Sequence, residues 1–250
     1  MSALVRFHNL TLGYDRHPAV HHLSGEIHAG SLIAVVGPNG AGKSSLLKGI
    51  AGELSPMQGQ LELQGIKRRD IAWLTQQSTL DASFPIQVFD LVSAGLWRQT
   101  GAFGGVNRAA RARIEEALSA VGLSGLEQRP IGTLSGGQLQ RARFARLMLQ
   151  DAPLLLLDEP YAAIDTATAN DLAALVARWH AEGRTVVSVL HDLDHVRAAY
   201  PEAMLLSREL IARGAPHDVL SAANLDRARM AAQARDADLH SICHEGDAAP

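Results

Sequence analysis

The sequence predicts an α/β fold: a largely parallel sheet wound by helices, with an antiparallel β edge and an inserted α-helical block. Three observations predict it. The short apolar runs Ser31–Val36 (SLIAVV), Leu154–Leu157 (LLLL) and Thr185–Leu190 (TVVSVL) have the length and composition of strands buried on both faces. The second and third end in polar residues, Asp158–Glu159 and His191–Asp192, as strands do when their C-terminal ends line a ligand site. From Phe84 to Gln150, by contrast, helical spacing dominates and the strand-helix alternation stops.

In chain order, Leu4–Leu12 (LVRFHNLTL) partly alternates and reads as an edge strand, with Gly13, Tyr14 and Asp15 as its turn. His17, His21 and His22 follow no metal-ligand spacing and read as solvated surface. Ser31–Val36 leads into GPNGAGKS and then an apolar-periodic helix, Ser45–Ile50. Gln60–Leu63 and Ile71–Leu74 are strand candidates around the solvated turn KRRD. In the helical block, Asn107 is placed to cap a helix whose inner face holds Ile114, Ala117, Leu118 and Val121, and GAFGG (Gly101–Gly105) reads as a flexible joint. After the leucine strand, Leu172, Leu175, Val176 and Trp179 share one face of a helix stopped by Gly183. From Leu225 the chain turns Ala/Arg/Asp-rich and reads as a loosely ordered tail; its His240, Cys243 and His244 are metal-ligand types in a segment too short to argue for a site.

Composition narrows the function classes. An apolar share of 47% over 250 residues allows a sizeable core. The formal charge of −3 gives no global field pointing to nucleic acid or an anionic membrane surface. One cysteine allows no internal disulfide framework and suits a reducing compartment. The N-terminus lacks the layout of a signal peptide, and no apolar run approaches the ~20 residues of a membrane helix, so any work at a membrane needs another chain to cross it.

GPNGAGKS (Gly37–Ser44) fits G-x-x-x-x-G-K-[ST], in the strand-loop-helix context that the pattern requires. Such a loop wraps backbone N–H groups around phosphate oxygens at a helix N-terminus. Gly37, Gly40 and Gly42 let the backbone turn, with Pro38, Asn39 and Ala41 between them; Lys43 reaches the β- and γ-phosphates, and the Ser44 hydroxyl, followed by Ser45, suits Mg²⁺. The loop needs carboxylate partners, and Asp158 for the metal with Glu159 for the attacking water follow a buried strand. His191 and Gln76, each at a strand end, converge on the same sheet edge. LSGGQ (Leu134–Gln138) opens another helix, with Ser135 as its cap and Gly136, Gly137 and Gln138 beyond: a second anion site. One monomer has no evident need for two, so two copies placed head to tail can each lend LSGGQ to the other's phosphate loop.

GPNGAGKS, LSGGQ and LLLLDEP, in that order, resemble the ATP-binding cassette (ABC) ATPases from about Leu4 to Leu220. The resemblance implies a RecA-like phosphate-loop NTPase core (residues 1–78 and 150–224), a helical subdomain (79–149) and a homodimer that closes over two ATP molecules with Mg²⁺. It implies that Tyr14, from spacing alone a turn or core aromatic, stacks on adenine. By position it makes Gln76 the Q-loop residue and Asp158 the Mg²⁺ aspartate, with Ser44 and Gln76 as further metal ligands. Glu159 becomes the catalytic base, Asp165 the D-loop aspartate and His191 the switch histidine. LTQQ lacks the proline that commonly precedes the Q-loop glutamine, which leaves Gln76 or Gln77 open, and AAID stands where SALD is commoner.

A lone cassette resembles the ATPase subunit of a bacterial importer, peripheral at the cytoplasmic face of the inner membrane, docked on a separate integral membrane permease and served by a periplasmic or extracellular substrate-binding protein. SFPIQVFDLVSAGLW and FARLMLQDAPLLLLDEPYAAID resemble the zinc/manganese branch, with iron-chelate or heme importers as the alternative. A soluble ABC ATPase acting on nucleic acid usually has two cassettes or long coiled-coil insertions. Arg141, Arg143 and Arg146 read as a solvated stripe or domain-contact residues, and no nucleic-acid partner is expected.

Overall fold

The computed structural model describes residues 2–15, 17–76, 85–101 and 105–245. In chain order the elements are β1 (Ala3–Tyr14), β2 (His17–His28), β3 (Leu32–Val36), α1 (Lys43–Ala51), β4 (Pro56–Leu63), β5 (Ile71–Leu74), α2 (Val88–Ser93), α3 (Trp97–Thr100), α4 (Arg108–Ala120), α5 (Gly136–Leu149), β6 (Leu154–Asp158), α6 (Thr166–Ala181), β7 (Thr185–Val189), α7 (Leu193–Ala199), β8 (Glu202–Ser207), β9 (Glu209–Gly214), α8 (Pro216–Val219) and α9 (Ala222–Glu245). Gln77, Ser83, Phe84 and the centre of GAFGG lie outside the described residues. Among the described residues no helix is long and apolar enough to cross a membrane.

Contacts divide the chain into two compact units, residues 1–68 with 187–250, and residues 69–186. The first unit holds the antiparallel sheet β2-β1-β4 and the strand order β3-β8-β9, with β3 and β8 parallel and β8 and β9 antiparallel. All five residues of β3 are buried, as its unbroken apolar run requires. The second unit holds β5 and β6, pairing in parallel from Ile71↔Leu154 to Leu74↔Leu157, together with α2 to α6.

This division differs from the sequence boundaries, which set residues 79–149 apart from the core. The reason is packing on α5. Phe144 of α5 stacks on Trp179 of α6 with ring centroids 5.7 Å apart and planes 12° from parallel, and both rings are buried. That contact joins the helical block to the helix following β6, so the second unit has one core.

The chain from Leu225, read as a loosely ordered tail, continues α9 to Glu245. Its Ala- and Arg-rich composition favours helix, and at its start Ala228 is buried, its carbonyl accepting from the buried Ser207 hydroxyl at 3.0 Å. The three histidines read as solvated surface lie on the twelve-residue strand β2, where His17 and His22 are exposed and His21 is half-buried, with His22 Nδ1 2.9 Å from Asn9 Oδ1. Asn9 and His22 both have positive φ, at 49° and 48°, and register shifts separate Phe7 from Leu10 and Leu10 from Leu12. These irregularities hide the strand's alternation from a pattern search.

Trp179→Ala should destabilise the protein by about 3–5 kcal/mol, the usual cost of deleting a fully buried large aromatic, read as a lower urea midpoint. A loss below about 1 kcal/mol would mean that the Phe144 stack does not hold the second unit together.

Candidate functional site

In the first unit β3 delivers the chain into the phosphate loop, and α1 begins at Lys43. Two of the loop's glycines are enforced by neighbours. A Cβ on Gly37, at φ 151°, would stand 2.0 Å from the Leu206 carbonyl oxygen of β8. A Cβ on Gly42, the left-handed residue (φ 89°) before α1, would stand 2.2 Å from the Ala19 carbonyl oxygen of β2. The loop is thus wedged between two strands, with Asn39 and Gly40 exposed at its tip. Lys43 is buried, and its ammonium donates to the carbonyls of Gly37 at 2.8 Å and Pro38 at 2.9 Å. A cation is thereby fixed within the loop at the start of α1, an arrangement suited to an oligophosphate.

His191 follows β7 in the same unit. It lines a hollow of about 170 Å³ with Gly37, Pro38 and Leu190, closed on the α9 side by Leu225 and Ala228. The structure therefore brings His191 and the start of the phosphate loop together. Tyr14, at the end of β1, is 46% exposed with the Lys48 ammonium 5.4 Å from its ring centroid. An exposed aromatic leaves a face open for stacking.

The second unit carries the other predicted residues. The β5–β6 register sets Thr75–Gln76 and Asp158–Glu159 at the same end of a parallel pair. Asp158 is 4% exposed, Glu159 half-buried and Gln76 exposed. Glu159 holds φ 50°, a left-handed conformation unusual for a residue with a side chain, and its carbonyl accepts from Ala162 N–H at 3.2 Å. Such backbone outliers cluster at functional sites, and this one carries no signal in the sequence.

Ser135 caps α5 as the sequence suggests. Its hydroxyl accepts from Gln138 N–H at 3.2 Å while Gln138 Oε1 accepts from Ser135 N–H at 3.1 Å, a reciprocal capping box. Asp165 caps α6, accepting from Thr168 N–H at 2.9 Å and from the Thr168 hydroxyl at 2.8 Å. These bonds, the Thr168 N–H first, hold its carboxyl below the usual range. A Cβ on Gly137 would lie 3.3 Å from Thr168 Oγ1 and 3.5 Å from Asp165 Oδ2, so the N-termini of α5 and α6 sit side by side. Among the described residues no group of three or more His, Cys, Asp or Glu could hold a metal ion.

Of the arginines after LSGGQ, read as a solvated stripe or as domain-contact residues, Arg146 is exposed while Arg141 and Arg143 are half-buried and bonded. Arg141 donates to Asp171 at 2.7 Å, to Thr168 Oγ1 at 3.3 Å and to the Val121 carbonyl at 3.1 Å. Arg143 donates to Gln140 Oε1 at 3.0 Å and to the Thr75 carbonyl. Burial lowers the pKa of Arg143, with a further contribution from Arg146. Sequence reasoning missed these roles because neither acceptor of Arg143 is a charged partner visible at helical spacing.

Comparison with known proteins adds the context. The family model described as ABC transporter matches residues 20–162. The chain is 38% identical over 209 residues, 82% of its length and 87% of the relative's, to a manganese transport system ATP-binding protein of Listeria monocytogenes. It is 37% identical over 215 residues, 84% of its length and 81% of the relative's, to a zinc transport system ATP-binding protein of Treponema pallidum. Among solved structures it resembles an ATP-binding cassette in a dimeric post-hydrolysis state with ADP and Pi, at TM-score 0.76 and 26% identity over 85% of this chain and 99% of that one.

The geometry of the loop ranks its glycines. Gly40→Ala meets only the left-handed backbone, because nothing lies within 4 Å of the added carbon, and should cost about 1–2 kcal/mol. Gly42→Ala adds the clash with the Ala19 carbonyl and should cost more, in urea unfolding of both variants. Equal losses would show that β2 gives way and does not wedge the loop.

Proposed function

The chain belongs to the ABC transporter family, as an ATP-hydrolysing subunit of a transport system, and on that premise we propose that it drives a bacterial importer of zinc or manganese. The observation that carries the cargo is the 37–38% identity, over more than four-fifths of each chain, to ATP-binding proteins of manganese and zinc transport systems. The subunit works as a homodimer at the cytoplasmic face of the membrane, beneath a separate integral permease fed by a substrate-binding protein. The helical block, residues 79–149, receives the permease.

In this reading Tyr14 stacks on the adenine of ATP, and the loop from Gly37 to Ser45 binds its phosphates through backbone N–H groups and the Lys43 ammonium. Ser135, Gly136, Gly137 and Gln138 of the second copy face the same phosphates with the N-terminus of α5. Ser44, Gln76 and Asp158 supply the oxygen donors that Mg²⁺ prefers, and a carboxylate as buried as Asp158 fits a cation partner. When bound, Mg²⁺ offsets negative charge on the β- and γ-phosphates. Glu159 accepts a proton from a water whose oxygen attacks the γ-phosphorus; the bond from that phosphorus to the bridging oxygen breaks, and ADP leaves. His191 and Gln76 orient the water and the γ-phosphate, and Asp165 holds the α6 terminus beside the glycines of α5.

Glu159→Gln keeps the shape and removes the basicity. It should retain ATP binding, accumulate the closed dimer and lose turnover by at least about 100-fold in phosphate release. Turnover at the wild-type rate would take Glu159 out of the base role. For the cargo, deletion of the gene should abolish high-affinity uptake of radioactive zinc or manganese, and unchanged uptake of both would end the metal assignment.

A further inference from the structure

The β5–β6 pairing has its last rung at Leu74↔Leu157, and beyond it each strand runs on into working residues, Thr75–Gln76 on one side and Asp158–Glu159–Pro160 on the other. The carbonyls there cannot continue the ladder. Two of them are taken up by side chains of α5. Gln140, 7% exposed, donates its Nε2 to the Pro160 carbonyl at 2.7 Å, and its Oε1 accepts from Arg143 Nη1 at 3.0 Å. Arg143 Nη2 donates to the Thr75 carbonyl. The result is a continuous chain of hydrogen bonds from the residue before Gln76, across one face of α5, to the residue after Glu159.

Gln140 and Arg143 are three apart and so share a helix face. The same helix carries the LSGGQ cap at its N-terminus, little more than one turn from Gln140. Burial makes this link costly to break: the Arg143 guanidinium is partly desolvated, and its bonds to Gln140 and Thr75 go to neutral oxygens. The planar guanidinium fork offers separate N–H donors to Gln140 and Thr75 at once.

We propose that Arg143, acting through Gln140, is a positioning residue that fixes Gln76 and Glu159 to the signature helix. The relay rests on the roles given above to Gln76 and Glu159, and it adds the means by which α5 reaches both. A shift of α5 on binding the second copy's nucleotide is then transmitted to both strand ends. In the first unit no such link is needed for ATP to bind, so the relay acts on turnover and leaves affinity alone.

The test is steady-state ATP hydrolysis by the full chain with its permease, alongside titration of a fluorescent ATP analogue and thermal unfolding. Arg143→Met should lower kcat about tenfold with KM for ATP within about twofold of wild type. Arg143→Lys, which keeps the charge but loses the rigid fork that spans the two acceptors, should recover part of the loss. Gln140→Glu keeps the acceptor for Arg143 and loses the donor to Pro160; it should match Arg143→Met, and it carries the test if Arg143→Met does not fold. Wild-type kcat in a folded Gln140→Glu or Arg143→Met chain would overturn the relay. So would kcat and KM changing together with a lowered unfolding midpoint, since that is the mark of a purely structural role. Glu159→Gln and Gln76→Ala run in parallel separate the two layers: if they hydrolyse normally, the underlying assignment fails, and if they are inactive while Arg143→Met is unimpaired, the relay alone fails.

Discussion

One buried ammonium organises the first unit. Lys43 is held on the carbonyls of Gly37 and Pro38, and this is possible only because the loop folds back on itself tightly enough to present them. The tightness comes from outside the loop. Carbonyls of Leu206 on β8 and Ala19 on β2 press on the two glycines that bound it, so strands far apart in sequence determine where an eight-residue motif can sit. The cost of burying a cation is offset by these two acceptors, and a bound oligophosphate adds the charge that they lack. His191 shares the wall of the hollow beside Gly37 and Pro38, so the residue after β7 is referred to the same loop.

The second unit solves a different problem, that of aligning two helix N-termini and two strand ends. A reciprocal cap at Ser135 and the Asp165 cap on α6 leave Gly137 against Thr168, so the exposed start of α5 is held by the start of α6. Phe144 on Trp179 holds the same two helices by apolar contact further along. Gln140 and Arg143 then tie α5 to the ends of β5 and β6. The phosphate loop belongs to the first unit and the signature cap to the second; the proposed mechanism takes the two from different copies.

What could be read in advance follows from how local its cause is. The loop, strand β3 and helix α1 were legible because glycine spacing, a β run and a helical run are adjacent, and the Asn107 and Ser135 caps because each acts within three residues. The face of α6 was legible from Leu172, Leu175, Val176 and Trp179. Strand β2 was not, since its bulges at positive φ break the alternation, and the hairpin β8–β9 was passed over because no motif falls on it. The left-handed φ of Glu159 and the acceptors of Arg143 are products of tertiary packing. Ala- and Arg-rich sequence suits a helix as well as a loose end, and the buried Ala228 packs the start of α9.

The central claim is that a working pocket combines the phosphate loop of one copy with the signature cap of another. Mixing tests it most directly: a Lys43→Ala chain and a Ser135→Arg chain, each inactive alone, are combined with the permease and phosphate release is followed. Each mixed dimer keeps one pocket with both wild-type halves, so turnover should reappear in the mixture. A mixture that stays as inactive as its parts, with mixed dimers demonstrated by mass, would contradict the claim.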